Sequence, residues 1–143
     1  MSDSDFKSRR RLEQLPSVEL EALQLQKFNA LLEEILPENR FYQAKLSGFS
    51  FPLDSLEQLC ELPFTTKAEL TAGVNDQNIA ANVTYSLERY IRFHRTSGTH
   101  GKPLAVLDTE KDWEWWIDTW QFVLDAAQLD ATDRALMAFS FGP

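Results

Sequence analysis

The sequence predicts an α/β fold, a helical N-terminal part packed on a small mixed sheet. Three observations carry this reading. Apolar residues recur at spacings of three and four over Leu25, Phe28, Leu32, Ile35 and Leu36, within a first part otherwise broken into short helical stretches. Two short apolar runs, near residues 90–94 and 104–107, flank a glycine-containing loop. Three of the four Trp, Trp113, Trp116 and Trp120, then follow the helical period, with Trp115 off that stripe. The order expected is mainly helical over 1–82, then strand, loop, strand, helix and strand over 83–143. At 43% apolar and 25% charged residues, the 143-residue chain has the balance of a globular protein. A chain of this size buries about 68–70% of its unfolded surface.

The elements follow in order. A first helix begins near Phe6 and ends before Pro16. Ser17 opens a second helix to about Leu36, with Leu25, Phe28, Leu32, Ile35 and Leu36 as its buried stripe and Pro37 as its stop. Asn39 to Leu46 is a short helix with Phe41, Tyr42 and Leu46 inward. Asp54 or Ser55 opens another over Leu56 to Cys60. Thr66 and Glu69 have the spacing of a capping box, each satisfying free backbone donors of the other. Thr71 to Asn82 is small and polar and reads as a loop or a weak helix end. Tyr90 to His94 and Leu104 to Leu107 are strands, and Thr109 caps a long helix to about Ala127. Thr132 to Arg134 is a turn, and Ala135 to Phe141 is a third apolar strand. A strand needs a neighbour for its hydrogen bonds. Its place so near Pro143 therefore suggests a piece of a larger protein, or pairing with the strand before the loop.

The 22 acidic residues outnumber the 14 basic ones, a net charge of −8. That argues against a general nucleic-acid surface, which needs a basic stripe to neutralise phosphates. The one basic cluster, Lys7, Arg9, Arg10 and Arg11, reads as a solvated helix end or a mobile terminus. Cys60 stands alone, which rules out an internal disulfide and reads as a buried, inert thiol. No apolar run approaches the roughly 18 residues of a membrane span, and the N-terminus lacks an apolar signal core. The chain reads as cytoplasmic, with no membrane partner.

The loop Thr96-Ser97-Gly98-Thr99-His100-Gly101-Lys102 has the chemistry to hold phosphate. Gly98 and Gly101 let backbone N–H groups turn toward an anion without a Cβ in the way. Thr96, Ser97 and Thr99 add hydroxyl donors, Lys102 adds charge, and His100 adds a ring N–H. Pro103 stiffens the exit. It is not a Walker A loop: Thr96 stands where the first glycine is required, and Pro103 replaces the hydroxyl residue that binds Mg²⁺. Residue chemistry alone leaves an ordinary hairpin turn slightly ahead of a phosphate loop.

Ser97-Gly98-Thr99-His100-Gly101-Lys102-Pro103 resembles the signature loop of adenylate-forming enzymes, commonly Ser-Gly-Thr-Thr-Gly-Lys-Pro in the phenylacetate–coenzyme A ligase branch. Asn39-Arg40-Phe41-Tyr42 resembles an early Asn-x-Phe-Tyr helix of that branch. Leu62-Pro63-Phe64-Thr65-Thr66-Lys67-Ala68-Glu69-Leu70 is similar to its Leu-Pro-Phe-Thr-x-Lys-x-Asp-Leu segment, and Arg92-Phe93-His94-Arg95 to the strand entering the loop. The four matches keep their order, from about residue 39 to 103. The resemblance implies the N-terminal part of the AMP-binding domain of an ATP-dependent ligase. Such an enzyme joins a carboxylic acid to ATP as an acyl-adenylate, with Mg²⁺, and passes the acyl group to coenzyme A. It implies phosphate-loop positions for Thr96, Ser97, Gly98, Thr99, Gly101 and Lys102. His100 departs from the pattern by replacing the second Thr. Homodimerisation is also a family expectation. The ribose-binding Asp, the Mg²⁺-assisting acid and the late catalytic Lys lie downstream in the family, so the expectation for these 143 residues is no catalytic residue of their own and no adenylation activity. The alternative is a non-catalytic nucleotide-binding or interaction module that folds alone.

Other residues have plainer readings. Trp113, Trp116, Trp120, Leu124 and Ala127 follow increments of three, four, four and three, which predicts a core-facing stripe. Phe139, Phe141 and Gly142 read as strand packing. His94 has no partners at metal-ligand spacing. Glu110, Asp112, Glu114 and Asp118 favour the helix dipole and need no metal.

Overall fold

The computed structural model describes residues 5–72, 79–96, 103–136 and 138. Five α-helices and two strands are found there: α1 Phe6–Glu13, α2 Ser17–Ile35, α3 Arg40–Lys45, α4 Lys67–Thr71, β1 Tyr90–Arg95, β2 Ala105–Thr109 and α5 Glu110–Ala126. Two 3-10 helices, Leu56–Glu61 and Leu87–Arg89, complete the order. The chain is α/β, as expected.

Caps explain most helix starts. The Asp5 carboxylate accepts from the Ser8 N–H at 2.7 Å and opens α1. Asn39 caps α3 by accepting from the Tyr42 N–H at 2.9 Å. Thr66 and Glu69 form the expected box at α4: the Thr66 N–H donates to the Glu69 carboxylate at 2.7 Å, and the Glu69 N–H returns to the Thr66 hydroxyl at 3.3 Å. Thr109 and Asp112 do the same for α5. Helix α2 lacks a side-chain cap; Pro16 precedes its first residue, Ser17.

The core is made by Leu32, Leu46, Leu53, Ala80, Leu104 and Ala105. Leu32 lies on the predicted stripe of α2, whose other members are half-buried. The Asn29 side chain fixes α2 to the next segment, donating to the Leu53 carbonyl at 2.8 Å and accepting from the Leu53 N–H at 2.9 Å. Asn39, only 1% exposed, donates to the Asn82 carbonyl at 2.9 Å and to the Thr84 hydroxyl at 2.8 Å. It thereby ties α3 to the segment that leads into β1. Glu34 of α2 meets Lys111 of α5 and accepts from the Tyr85 hydroxyl at 3.1 Å. The Lys111 ammonium holds the Glu34 carboxyl below the usual carboxylate range.

Several expectations change. Among the described residues the sheet has two strands, β1 and β2, and they are antiparallel. A parallel element enters only as a single bridge from Ile79 to Ala105. Residues 135, 136 and 138 are not in a strand, and Leu136 is exposed; the rest of the predicted third strand lies outside the described residues. The partner of β1 is β2. The α5 stripe is not a core: Trp116 is 47% and Trp120 44% exposed. The helix meets the sheet through its first turns, where Trp113 stacks against His94, and the later Trp rings extend past that contact. Cys60 is exposed rather than buried. Arg9 is not solvated but 8% exposed, and its guanidinium grips the Asp125 carboxylate with two hydrogen bonds of 2.6 and 2.9 Å. That fork draws α1 onto the C-terminal half of α5 and holds the Asp125 carboxyl below its ordinary range. No helix among the described residues is long and apolar enough to cross a membrane.

Candidate functional site

The hairpin of β1 and β2 carries the glycine loop. Its register pairs Arg92 with Asp108, Phe93 with Leu107, His94 with Val106 and Arg95 with Ala105, with an irregularity between Tyr90 and Arg92. Beyond the last pair, the Thr96 N–H donates to the Leu104 carbonyl at 3.0 Å. The Leu104 N–H donates back to the Thr96 hydroxyl oxygen at 2.9 Å. On the far side of β2, the Ala80 N–H donates to the Ala105 carbonyl at 3.1 Å. Ala105 is fully buried, with neighbours on both edges. Of the predicted phosphate-loop residues, Thr96 is thus placed at the mouth of the loop. Ser97, Gly98, Thr99, His100, Gly101 and Lys102 lie outside the described residues.

On one face of the hairpin, aromatic and charged groups interlock. The His94 ring stacks on Trp113 with centroids 6.0 Å apart and 17° between planes. The Arg92 guanidinium lies 4.7 Å from the Trp113 centroid, a cation–π contact. His94 Nε2 sits 2.9 Å from Asp108 Oδ2, an ion pair when the ring is protonated. No spacing in the sequence announces this pair, because His94 and Asp108 meet only through the strand register. Elsewhere on the hairpin lies an open groove of about 540 Å³, bordered by Ile79, Leu87, Ile91, Phe93, Arg95 and Leu107. Phe93 is 58% exposed there.

Electrostatics outside the hairpin is structural. Lys45 pairs with Glu69, and that contact, with the Thr66 hydrogen bonds, lowers the Glu69 pKa to about 2. Among the described residues no three His, Cys, Asp or Glu side chains converge to hold a metal ion. Glu110 and Asp112 occupy the first turn of α5, where Asp112 serves the cap.

The chain is 29% identical over 127 residues to a phenylacetate-coenzyme A ligase of Escherichia coli (strain K12). That match takes in 87% of this chain and 28% of the relative. It is 30% identical over 138 residues to a phenylacetate-coenzyme A ligase of Aromatoleum evansii, over 92% of this chain and 30% of that protein. The chain is thus similar to phenylacetate-coenzyme A ligases over most of its own length. No protein-family model matches it. The chain spans less than a third of the length of these curated relatives. Most of the chain takes part in the similarity, so the likeness extends well beyond the glycine loop, taking in helices of the first half as well as the hairpin.

Proposed function

We propose that this chain is the N-terminal part of the AMP-binding domain of an ATP-dependent acyl- or aryl-coenzyme A ligase, and that it supplies the loop gripping the phosphates of ATP. The observation that carries the reading is the similarity to two phenylacetate-coenzyme A ligases along most of the chain. The hairpin geometry supports it. A loop that closes on polyphosphate needs fixed ends, and Thr96 and Leu104 are bonded to each other by a reciprocal pair. Between those ends the sequence offers two glycines, hydroxyls and one lysine. Such a set stabilises charge by preorganised N–H and ammonium donors. Ser97, Gly98, Thr99, His100 and Gly101 line the grip, with Lys102 as its cation.

In the parent enzyme a carboxylic acid is activated as an acyl-adenylate and transferred to coenzyme A. Mg²⁺ would neutralise phosphate charge in the first step. The chain's own contribution is to bind and orient the phosphates. The setting is cytoplasmic, and the parent assembles as a homodimer.

Calorimetric titration of the full chain with ATP and Mg²⁺ tests the loop. Saturable binding is expected, weakened about tenfold or more by Lys102→Ala, since a charge-assisted contact to phosphate is lost. His100→Thr, which restores the second hydroxyl of the family loop, tightens binding. Absence of binding at millimolar ATP, or equal affinity of wild type and Lys102→Ala, overturns the proposal.

A further inference from the structure

We propose that Thr96 is a positioning residue whose side chain closes the hairpin and frees its own carbonyl to leave the sheet. In a regular antiparallel ladder the N–H of Leu104 would be accepted by a backbone carbonyl of the opposing strand. Here the acceptor is the Thr96 hydroxyl oxygen, at 2.9 Å, while the Thr96 N–H holds the Leu104 carbonyl at 3.0 Å. The side chain does the work of a main-chain carbonyl. The Thr96 carbonyl is thereby not needed as the acceptor for Leu104 at the last described residue before the glycine loop. Accepting from Leu104 also leaves the hydroxyl with its one proton to donate.

The neighbours make this acceptor hard to replace. Pro103 has no N–H, so the Leu104 N–H is the first donor of the returning strand. Leu104 is 6% exposed, and a buried N–H without an acceptor is costly. Strand β2 cannot shift to find another, because Ala105 pairs with Arg95 on one edge and with Ile79 and Ala80 on the other. Loss of the hydroxyl therefore falls on β1 and the start of the loop. Valine matches threonine in shape but has no acceptor, whereas serine keeps one.

The consequence for ATP rests on the proposed phosphate grip; the clasp between Thr96 and Leu104 does not. The two are separated by measuring amide hydrogen exchange by NMR on the full chain, alongside ATP titration. Thr96→Val should speed exchange of the Leu104 N–H by about tenfold, the loss of roughly one net hydrogen bond. Amides of α2 should be unchanged, showing that the variant is folded. Thr96→Ser should stay within about twofold of wild type. Thr96→Ala carries the same test if valine crowds the hairpin. Unchanged exchange at Leu104 in the valine and alanine variants, or equally fast exchange in the serine variant, overturns the clasp. ATP affinity should fall in Thr96→Val and recover in Thr96→Ser, whereas Lys102→Ala should weaken ATP without altering exchange at Leu104. A wild-type chain that binds no ATP while Leu104 still responds to Thr96 defeats the phosphate reading and upholds the clasp.

Discussion

Replacing Asn39 by alanine removes three hydrogen bonds from one buried side chain. Its carbonyl oxygen caps α3 through the Tyr42 N–H at 2.9 Å, and its amide nitrogen reaches the Asn82 carbonyl and the Thr84 hydroxyl at 2.9 and 2.8 Å. Loss of an N-cap costs about 1 kcal/mol. Each of the two remaining bonds contributes about 1 kcal/mol net. The sum is about 3 kcal/mol, a large share of the roughly 5–15 kcal/mol that holds a domain together. For a chain of this size it corresponds to a fall of about 10 °C in the melting temperature. Asn39→Asp separates the parts: it keeps the cap acceptor but loses the donors and sets a carboxylate against the Asn82 carbonyl. It should therefore be no more stable than the alanine variant, despite its intact cap. Urea denaturation followed by circular dichroism measures both. A loss below about 1 kcal/mol for Asn39→Ala would refute the view that this residue ties α3 to the segment before β1.

Two further outcomes follow from caps and charge. Thr109→Ala removes the hydroxyl that accepts from the Asp112 N–H at 3.2 Å, and should cost about 1 kcal/mol in thermal melts, with Thr109→Ser nearly neutral; an unchanged melting temperature would show that the box is idle. The Glu69 carboxyl is lowered from 4.5 to about 2, first by Lys45 and then by Thr66. Because the folded pKa lies below the unfolded one, its stabilisation is complete above pH 4.5 and is lost as the pH falls toward 2. An NMR titration of Glu69 should show a midpoint near 2 in the native chain, and Lys45→Met should raise it; a native midpoint at 4.5 would contradict the pairing.

Local rules located most of the elements because their causes are local. The Thr66 cap, the Pro37 stop and the α2 stripe each depend on residues within a turn or two of one another. The two strands about the glycine loop were equally visible, since turn residues between apolar runs define a hairpin. The reading failed where a residue's fate depends on a distant partner. Arg9 looked like a solvated charge until Asp125 of α5 came into reach. The Trp stripe had the period of a core face, yet period states only that residues share a side of a helix. Whether that side is covered depends on what packs there: the structure places Trp113 against the sheet, while Trp116 and Trp120 stay nearly half exposed.

The site divides along the same line. By itself the sequence determined that a glycine, hydroxyl and lysine loop sits between two strands, because backbone freedom and donor chemistry are properties of single residues. It also carried the family resemblance, which is a matter of order and identity along the chain. Tertiary structure alone decided how the loop is anchored. Thr96 reads as one more hydroxyl donor in sequence; only the register of β1 on β2 brings its oxygen to the Leu104 N–H, and only the Ile79 and Ala80 contacts fix the opposite edge. Register arises from pairing between segments, so no local spacing could have displayed it.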